Sequence, residues 1–347
     1  MYKRKLLVAI SLIGVCIGIY FVINFYQIFF WSNTAFKNEA SYVFIDRDDT
    51  IDSLKVQLLP LLKSVNRFLI AAEKKGYDNR VRPGKYKIVP KMGNNELINV
   101  LRSQKQTVSV VFNNQERLED LAVRIAAQIE PDAGELIKAF YNDEFLESNG
   151  FTKENALSMY LPNSYNVFWD ATPQDFRALM LNNYTRFWNK RRLVKAKKLG
   201  LTPQEVYVLA SIVHKESVKK EEQLRIAGLY LNRLKKRMRL QADPTVIFAL
   251  KRASEDFEQE IKRVLYKDLK LNSPYNTYKS KGLPPGPISM PDLSAIEAVL
   301  NPEQHDYLYF VASPSKPGYH SFAETLAQHN RNKKEYVNWI NKQRIYR

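Results

Sequence analysis

The segment Pro203–Ser217 has a helical pattern, with apolar residues Val206, Leu209, Ala210 and Val213 at i, i+3, i+4 and i+7. Glu216 follows Val213 by three positions and Leu209 by seven, so it sits at the edge of the apolar face, while Lys215 points away. A carboxyl group placed there loses hydration when it ionises, which raises its pKa. A glutamate that keeps its proton near neutral pH is what general-acid catalysis requires. Helix geometry alone allows a plainer role, a boundary residue that reaches solvent or pairs with a nearby Lys or Arg. Downstream, Gln241-Ala242-Asp243-Pro244-Thr245 reads as the start of another helix, with Asp243 as N-cap and proline at the first helical position. Tyr275-Asn276-Thr277-Tyr278 offers aromatic faces and amides suited to stacking on and hydrogen bonding to sugar rings; turn residues with buried tyrosines are the plainer alternative. Gly282-Leu-Pro-Pro-Gly-Pro-Ile288 is a rigid turn that fixes backbone direction, or a plain connector. The chain has one cysteine, Cys16, and four histidines, His214, His305, His320 and His329, which excludes a CxxC-type zinc site and argues against a histidine cluster. No metal or cofactor is expected.

These residues sit in a chain of 347 residues with 45% hydrophobic and 26% charged composition, which excludes wholesale disorder and implies more than one domain. The net charge of +17 calls for an anionic partner: nucleic acid, a lipid surface or an acidic polymer. The N-terminus chooses among these. Leu6–Ile23 is apolar but for Ser11, and no charge occurs from Leu6 through Phe36. Such a run is long enough to span a bilayer, and Phe25, Tyr26, Phe29, Phe30 and Trp31 form an aromatic belt after it. Lys3, Arg4 and Lys5 precede it, so the N-terminus is expected in the cytoplasm and the bulk outside. A cleaved signal peptide fits poorly because no small-x-small site follows, and a lipoprotein anchor at Cys16 fits poorly because bulky Val15 precedes it. With the bulk outside the membrane, nucleic acid gives way to phospholipid and anionic cell-wall polymer as partners.

The remainder alternates short elements. Ser41–Ile45 reads as a strand, Asp49-Thr50 as a cap for a helix carrying Ile51, Leu54 and Leu58, and Val65–Ala72 as a second helix ending at Gly76. Arg82–Ile88 turns into a strand, Asn94–Leu101 reads as a capped helix, Thr107–Phe112 as a strand and Arg117–Ile129 as a helix. Residues 130–200 read as mainly helical, with Lys190–Lys198 a solvated face. Leu224, Ala227, Gly228, Leu231 and Leu234 line a helix after the acid, and Ala323–Gln343 reads as the last one.

Five motifs carry a resemblance: Leu209-Ala-Ser-Ile-Val-His-Lys-Glu-Ser217, Ile226–Leu234, Met238–Ile247, Tyr275–Tyr278 and Gly282–Ile288, in that order. The chain is identified by them as a member of the endolytic murein transglycosylase (MltG or YceG-like) family. The resemblance extends to Tyr307–Ala312, His320-Ser-Phe322, His329-Asn330 and Leu161-Pro-Asn-Ser-Tyr165, and upstream to Arg82–Tyr86 with Glu96–Ile98, which is similar to that family's LysM-like region. It implies a lytic cut of the β-1,4 bond between N-acetylmuramic acid and N-acetylglucosamine, leaving a 1,6-anhydro end without net hydrolysis. It makes Glu216 the catalytic acid/base, at the second glutamate of a Glu-Lys-Glu-Thr motif whose first glutamate is His214 here and whose threonine is Ser217. Asn163 stands where the family usually has aspartate. Gln241, Asp243, Thr245, Tyr275 and Asn276 become candidates for substrate binding. His320 and His329 are expected to pack or hydrogen bond in a closing sheet and last helix.

The expectation is an α+β protein: a cytoplasmic tail (1–5), a single transmembrane helix (6–31), a small LysM-like subdomain (40–112) and a larger mixed catalytic domain with a mainly helical core (113–347). Peptidoglycan strands, nascent ones by resemblance, and a membrane are the expected partners, with peptidoglycan synthases raised by the family. Nucleic acid is not expected. The rival readings are a non-catalytic peptidoglycan-binding scaffold, a membrane-tethered nucleic-acid-binding protein that rests only on charge and requires the bulk to be cytoplasmic, and a hydrolytic glycosidase.

Overall fold

The computed structural model describes residues 2–37 and 39–342. In chain order the elements are α1 (Tyr2–Phe29), β1 (Ser41–Ile45), α2 (Ile51–Leu58), α3 (Val65–Lys74), β2 (Gly84–Ile88), α4 (Asn94–Ser103), β3 (Lys105–Phe112), α5 (Leu118–Ala126), α6 (Ala133–Phe140), α7 (Asp143–Ser148), β4 (Asn163–Phe168), α8 (Pro173–Phe187), α9 (Lys190–Lys198), α10 (Pro203–Glu216), α11 (Lys220–Lys235), α12 (Asp243–Ser254), α13 (Leu293–Leu300), β5 (Tyr309–Ala312), β6 (His320–Ala323) and α14 (Leu326–Lys342). The fold is mixed α+β, and the chain divides into two compact units. One comprises residues 1–110, 127–131 and 165–172; the other comprises 111–126, 132–164 and 173–347.

In the first unit, α1 is a 28-residue apolar helix with a mean hydropathy of 2.8 in its best window, long and apolar enough to cross a membrane. Its end is fastened to the rest of the unit. Asn94 donates to the Ile28 carbonyl at 2.6 Å and accepts from Asn33 at 2.7 Å, and Phe29 packs into the core. A Cβ on Gly93 would stand 2.7 Å from the Phe30 carbonyl oxygen, so only glycine permits this approach. The sheet order is β1-β2-β3-β4, with β1 antiparallel to β2 and β2 antiparallel to β3. Strand alternation sends Val43, Ile45, Tyr86 and Ile88 inward against Leu54 and Leu58 of α2, Phe68 of α3 and Leu97 of α4. Thr50 caps α2 through a reciprocal bond pair with Ser53.

The second unit is mainly helical. β5 and β6 form an antiparallel hairpin beside α14. At the centre lies α10, entered through a capping box of Thr202 and Glu205 with Pro203 at the first helical position. Val206 through Val213 are all buried, so the helix is enclosed on every side by α11, α13 and α12, and its predicted stripe is only part of its buried surface. α10 stops where Ser217 takes an extended backbone, leaving Glu216 as its last residue.

Three expectations need correction. The buried face of α11 is Glu222, Gln223, Ile226, Tyr230 and Arg233, together with Ala227, Gly228 and Leu229, whereas Leu224 is exposed and Leu231 and Leu234 are half-buried. The apolar pattern misplaced the face because the polar residues on it have internal partners. Asp243 does not cap α12: Ala242 holds the cap position without a side-chain bond, and Asp243 is already helical. The last helix begins at Leu326, not at Ala323, which belongs to β6; Gln343, its expected end, lies outside the described residues, as do Met1 and the chain's end from 344 on.

Candidate active site

Glu216 is partly buried at the C-terminal end of α10. Burial pushes its pKa up from 4.5 to about 7; the Asp243 charge adds to the rise, while the Tyr230 hydrogen bond, His320 and Arg233 oppose it. Tyr230 of α11 donates its hydroxyl to Glu216 Oε1 at 2.7 Å. The Tyr230 phenol is itself pushed well above its usual value by burial and by Glu216, so it remains a donor. With Oε1 occupied as acceptor, the proton of neutral Glu216 belongs on Oε2.

Two polar ties hold this corner. After Glu216 the chain turns sharply, and Gln223 donates to the Ser217 carbonyl at 2.9 Å to close the turn. Glu222, buried on α11, accepts from the His320 backbone at 2.7 Å and meets His320 Nδ1 at 2.9 Å. Burial alone would raise the Glu222 pKa, but its bonds to His320 and Ser217 outweigh burial and lower it. This pair fastens β6 to α11 and brings the His320 ring into the electrostatic surroundings of Glu216. Arg233, also buried, donates to the carbonyls of Leu308 and Leu240, joining α11 to the segments before β5 and α12.

The Arg233–Leu240 tie leads into the second part of the site. Gln241 takes a left-handed backbone (φ 52°), and its N–H bonds the Thr277 carbonyl at 3.1 Å. Ala242 N–H bonds Thr277 Oγ1 at 3.0 Å, and the hydroxyls of Thr245 and Thr277 meet at 2.8 Å. Asn276 gives its amide to the carbonyls of Leu269 and Leu271 at 3.1 and 2.8 Å and accepts Tyr278 N–H at 3.0 Å. These bonds fix the Tyr278 hydroxyl, which donates to Asp243 Oδ1 at 2.6 Å. The partner that Asp243 was expected to find in its own helix is thus a tyrosine 35 positions away.

The sequence-derived residues therefore separate. Glu216 and Asp243 share one electrostatic neighbourhood. Gln241 and Asp243 are exposed; Thr245 and Asn276 are fully buried ties; Tyr275 is buried against Phe248, with ring centroids 4.8 Å apart. His214 lies 3.5 Å from Asp292, and burial lowers its pKa against the pull of that carboxylate. Asn163 is exposed at the start of β4. Sequence reasoning gave no role to Tyr230, Arg233 or Glu222. Their signal was a tyrosine, an arginine and a glutamate recurring at helical spacing on a helix with little apolar surface to spare.

A family model for YceG-like proteins matches residues 43–335. This chain belongs to the YceG-like family. Over 141 residues it is 43% identical to the endolytic murein transglycosylase of Bacillus subtilis, a stretch covering 41% of this chain and 37% of that protein. It is 37% identical over 142 residues to the endolytic murein transglycosylase of Streptococcus pneumoniae D39, covering 41% of this chain and 25% of that protein. The matched stretch thus spans little more than a third of these relatives at most. The crystal structure of a YceG-like protein from Listeria monocytogenes aligns with a TM-score of 0.56 at 27% identity, covering 85% of this chain and 99% of that one. Membership in the YceG-like family spans both units, so the small unit and the site just described are parts of one family architecture.

Proposed function

We propose that this YceG-like protein is an endolytic peptidoglycan lytic transglycosylase that cuts the β-1,4 bond between N-acetylmuramic acid and N-acetylglucosamine. The observation that carries this reading is Glu216, a glutamate with its pKa near 7, one oxygen held by Tyr230 and the other left to carry a proton. The names of the Bacillus subtilis and Streptococcus pneumoniae relatives support it.

Neutral Glu216 donates its Oε2 proton to the glycosidic oxygen as the bond to the anomeric carbon breaks. Positive charge develops on that carbon; the substrate's own N-acetyl group supports it, as in substrate-assisted glycosidases, and the Asp243 carboxylate favours it electrostatically. The muramic 6-hydroxyl oxygen then attacks the same carbon, and the Glu216 carboxylate removes its proton. The products are a 1,6-anhydro-muramic end and a free 4-hydroxyl, with Glu216 protonated again and no water consumed. Ordinary glycosidases require two carboxylates acting directly, one as acid and one as base or nucleophile. Here one group serves twice. Asp243, exposed in the electrostatic surroundings of the acid, and Gln241, exposed two residues before it, are the side chains best placed to touch the glycan. Thr245 and Asn276 act by holding the loops that carry them.

In this reading α1 is a single-pass anchor in the plasma membrane. Lys3, Arg4 and Lys5 mark the cytoplasmic side, and the catalytic region lies outside, where it meets nascent strands near the synthases. The segment 40–112 serves as a LysM-like glycan-binding module, a reading that rests on the resemblance of Arg82–Tyr86 and Glu96–Ile98, and 113–347 as the catalytic module. The test is digestion of peptidoglycan by the full chain in detergent, read by mass spectrometry. Anhydro-muropeptides from the wild type and none from folded Glu216→Gln are expected. Reducing ends without anhydro product would indicate hydrolysis and overturn the mechanism, and binding without any cleavage would leave only a scaffold.

A further inference from the structure

The second unit contains an open cavity of about 640 Å³ whose wall does not include Glu216. Two segments lead to it from the acid. α12 begins at Asp243 and carries Phe248 and Arg252 into the cavity wall, about 8 and 14 Å further along the helix axis. The Tyr275–Tyr278 segment bonds Asp243 at one end through Tyr278 and lines the cavity at the other through Tyr275. The cavity therefore lies within reach of a branch on a glycan held at Glu216.

Several wall charges are already matched. Glu116 bonds Lys215 at 3.1 Å and Lys251 at 2.9 Å; Arg117 pairs with Asp120, Lys153 with Asp143, and Glu119 accepts the Tyr141 hydroxyl. Among the described residues, Arg252, Glu154 and Glu255 have no oppositely charged side chain within ion-pair distance. Arg252 sits over the Tyr275 ring, 5.1 Å from its centroid, which orients the guanidinium at the wall. The Gly282–Ile288 turn presses on the same place: a Cβ on Gly286 would stand 1.8 Å from the Glu154 carbonyl oxygen and 3.0 Å from the Tyr275 hydroxyl. Only glycine lets this turn buttress both Glu154 and Tyr275.

A neutral sugar has no use for one cation and two anions, and a nucleic acid would be repelled by the anions. A short peptide that bears carboxylates and a free amine uses both. On the transglycosylase reading, on which this inference rests, each muramic acid carries such a peptide stem. We propose that the cavity binds the peptide stem of a muramic acid near the cut, with Arg252 receiving a stem carboxylate and Glu154 and Glu255 receiving its ammonium group. Endolytic action is then directed to strands that still carry their stems.

The test compares stem-bearing strands with strands stripped of stems by an amidase, using the full chain in detergent. The wild type is expected to show kcat/KM about tenfold higher on stem-bearing strands, the scale of one charge-assisted bond. Arg252→Gln should remove that advantage through KM, with kcat held and the rate on stripped strands unchanged; the stripped substrate thus reports that the variant is folded. Equal wild-type rates on both substrates, or an Arg252→Gln defect of the same size on both, would overturn the inference while leaving the transglycosylase reading intact. No anhydro product from either substrate would overturn both.

Discussion

Replacing Glu216 by glutamine should abolish turnover and, at alkaline pH, make the protein more stable. The folded state holds the Glu216 proton with a pKa of about 7, against an ordinary value of 4.5. Between these values the folded chain binds the proton more tightly than the unfolded chain, so wild-type stability falls as pH rises through this window. Below 4.5 both states are protonated, and above 7 both are ionised with the full cost in place. At 1.36 kcal/mol per unit, the gap of about 2.5 units amounts to about 3 kcal/mol. Glutamine keeps the shape and still accepts the Tyr230 hydroxyl, but has no charge to bury. Thermal melts of both proteins should therefore nearly coincide at pH 4 and separate by about 6–12 °C at pH 8.5, with the variant higher. A melting difference that is the same at both pH values would refute the argument, because it would mean that Glu216 is not a buried proton holder.

Two further outcomes follow from the same geometry. Tyr230→Phe removes a hydrogen bond that favours the charged form of Glu216, so the falling limb of the kcat/KM–pH profile, centred near 7 in the wild type, should move up by about one unit. An unmoved limb would exclude Tyr230 as the partner that tunes the acid. Thr277→Val leaves the buried Ala242 N–H without its acceptor and loosens the Gln241–Asp243 segment; urea denaturation should show a loss of about 1–3 kcal/mol, accompanied by a raised KM.

The raised pKa of Glu216 was legible because its place at the margin of an apolar helical stripe is a local signal; its catalytic role remains the proposal made above. The strand Ser41–Ile45 and the starts of α2 and α10 were legible because caps and alternation are local. What could not be read depends on distant partners. Asp243 looked like a cap because a short window shows Asp before Pro; the structure gives its carboxylate to Tyr278, and the helix begins one residue earlier than a cap at that position allows. The α11 face was misplaced because Glu222 and Arg233 count as surface residues until His320, Leu240 and Leu308 are seen to satisfy them. Thr245 and Asn276 stood out as sugar-binding types, yet their bonding capacity is taken up by the protein's own backbone and by Thr277. Local windows carry no record of such pairings.

The junction between α1 and the small unit has a mechanical meaning. Asn33, Asn94 and the close passage of Gly93 against Phe30 leave no slack chain between the end of the helix and the module's core. With α1 across a bilayer, the small unit is a rigid bracket and not a ball on a string. On the anchor reading proposed above, torque and tilt of the helix would pass directly into the small unit, whose standoff from the lipid headgroups would be fixed by geometry instead of averaged over a coil.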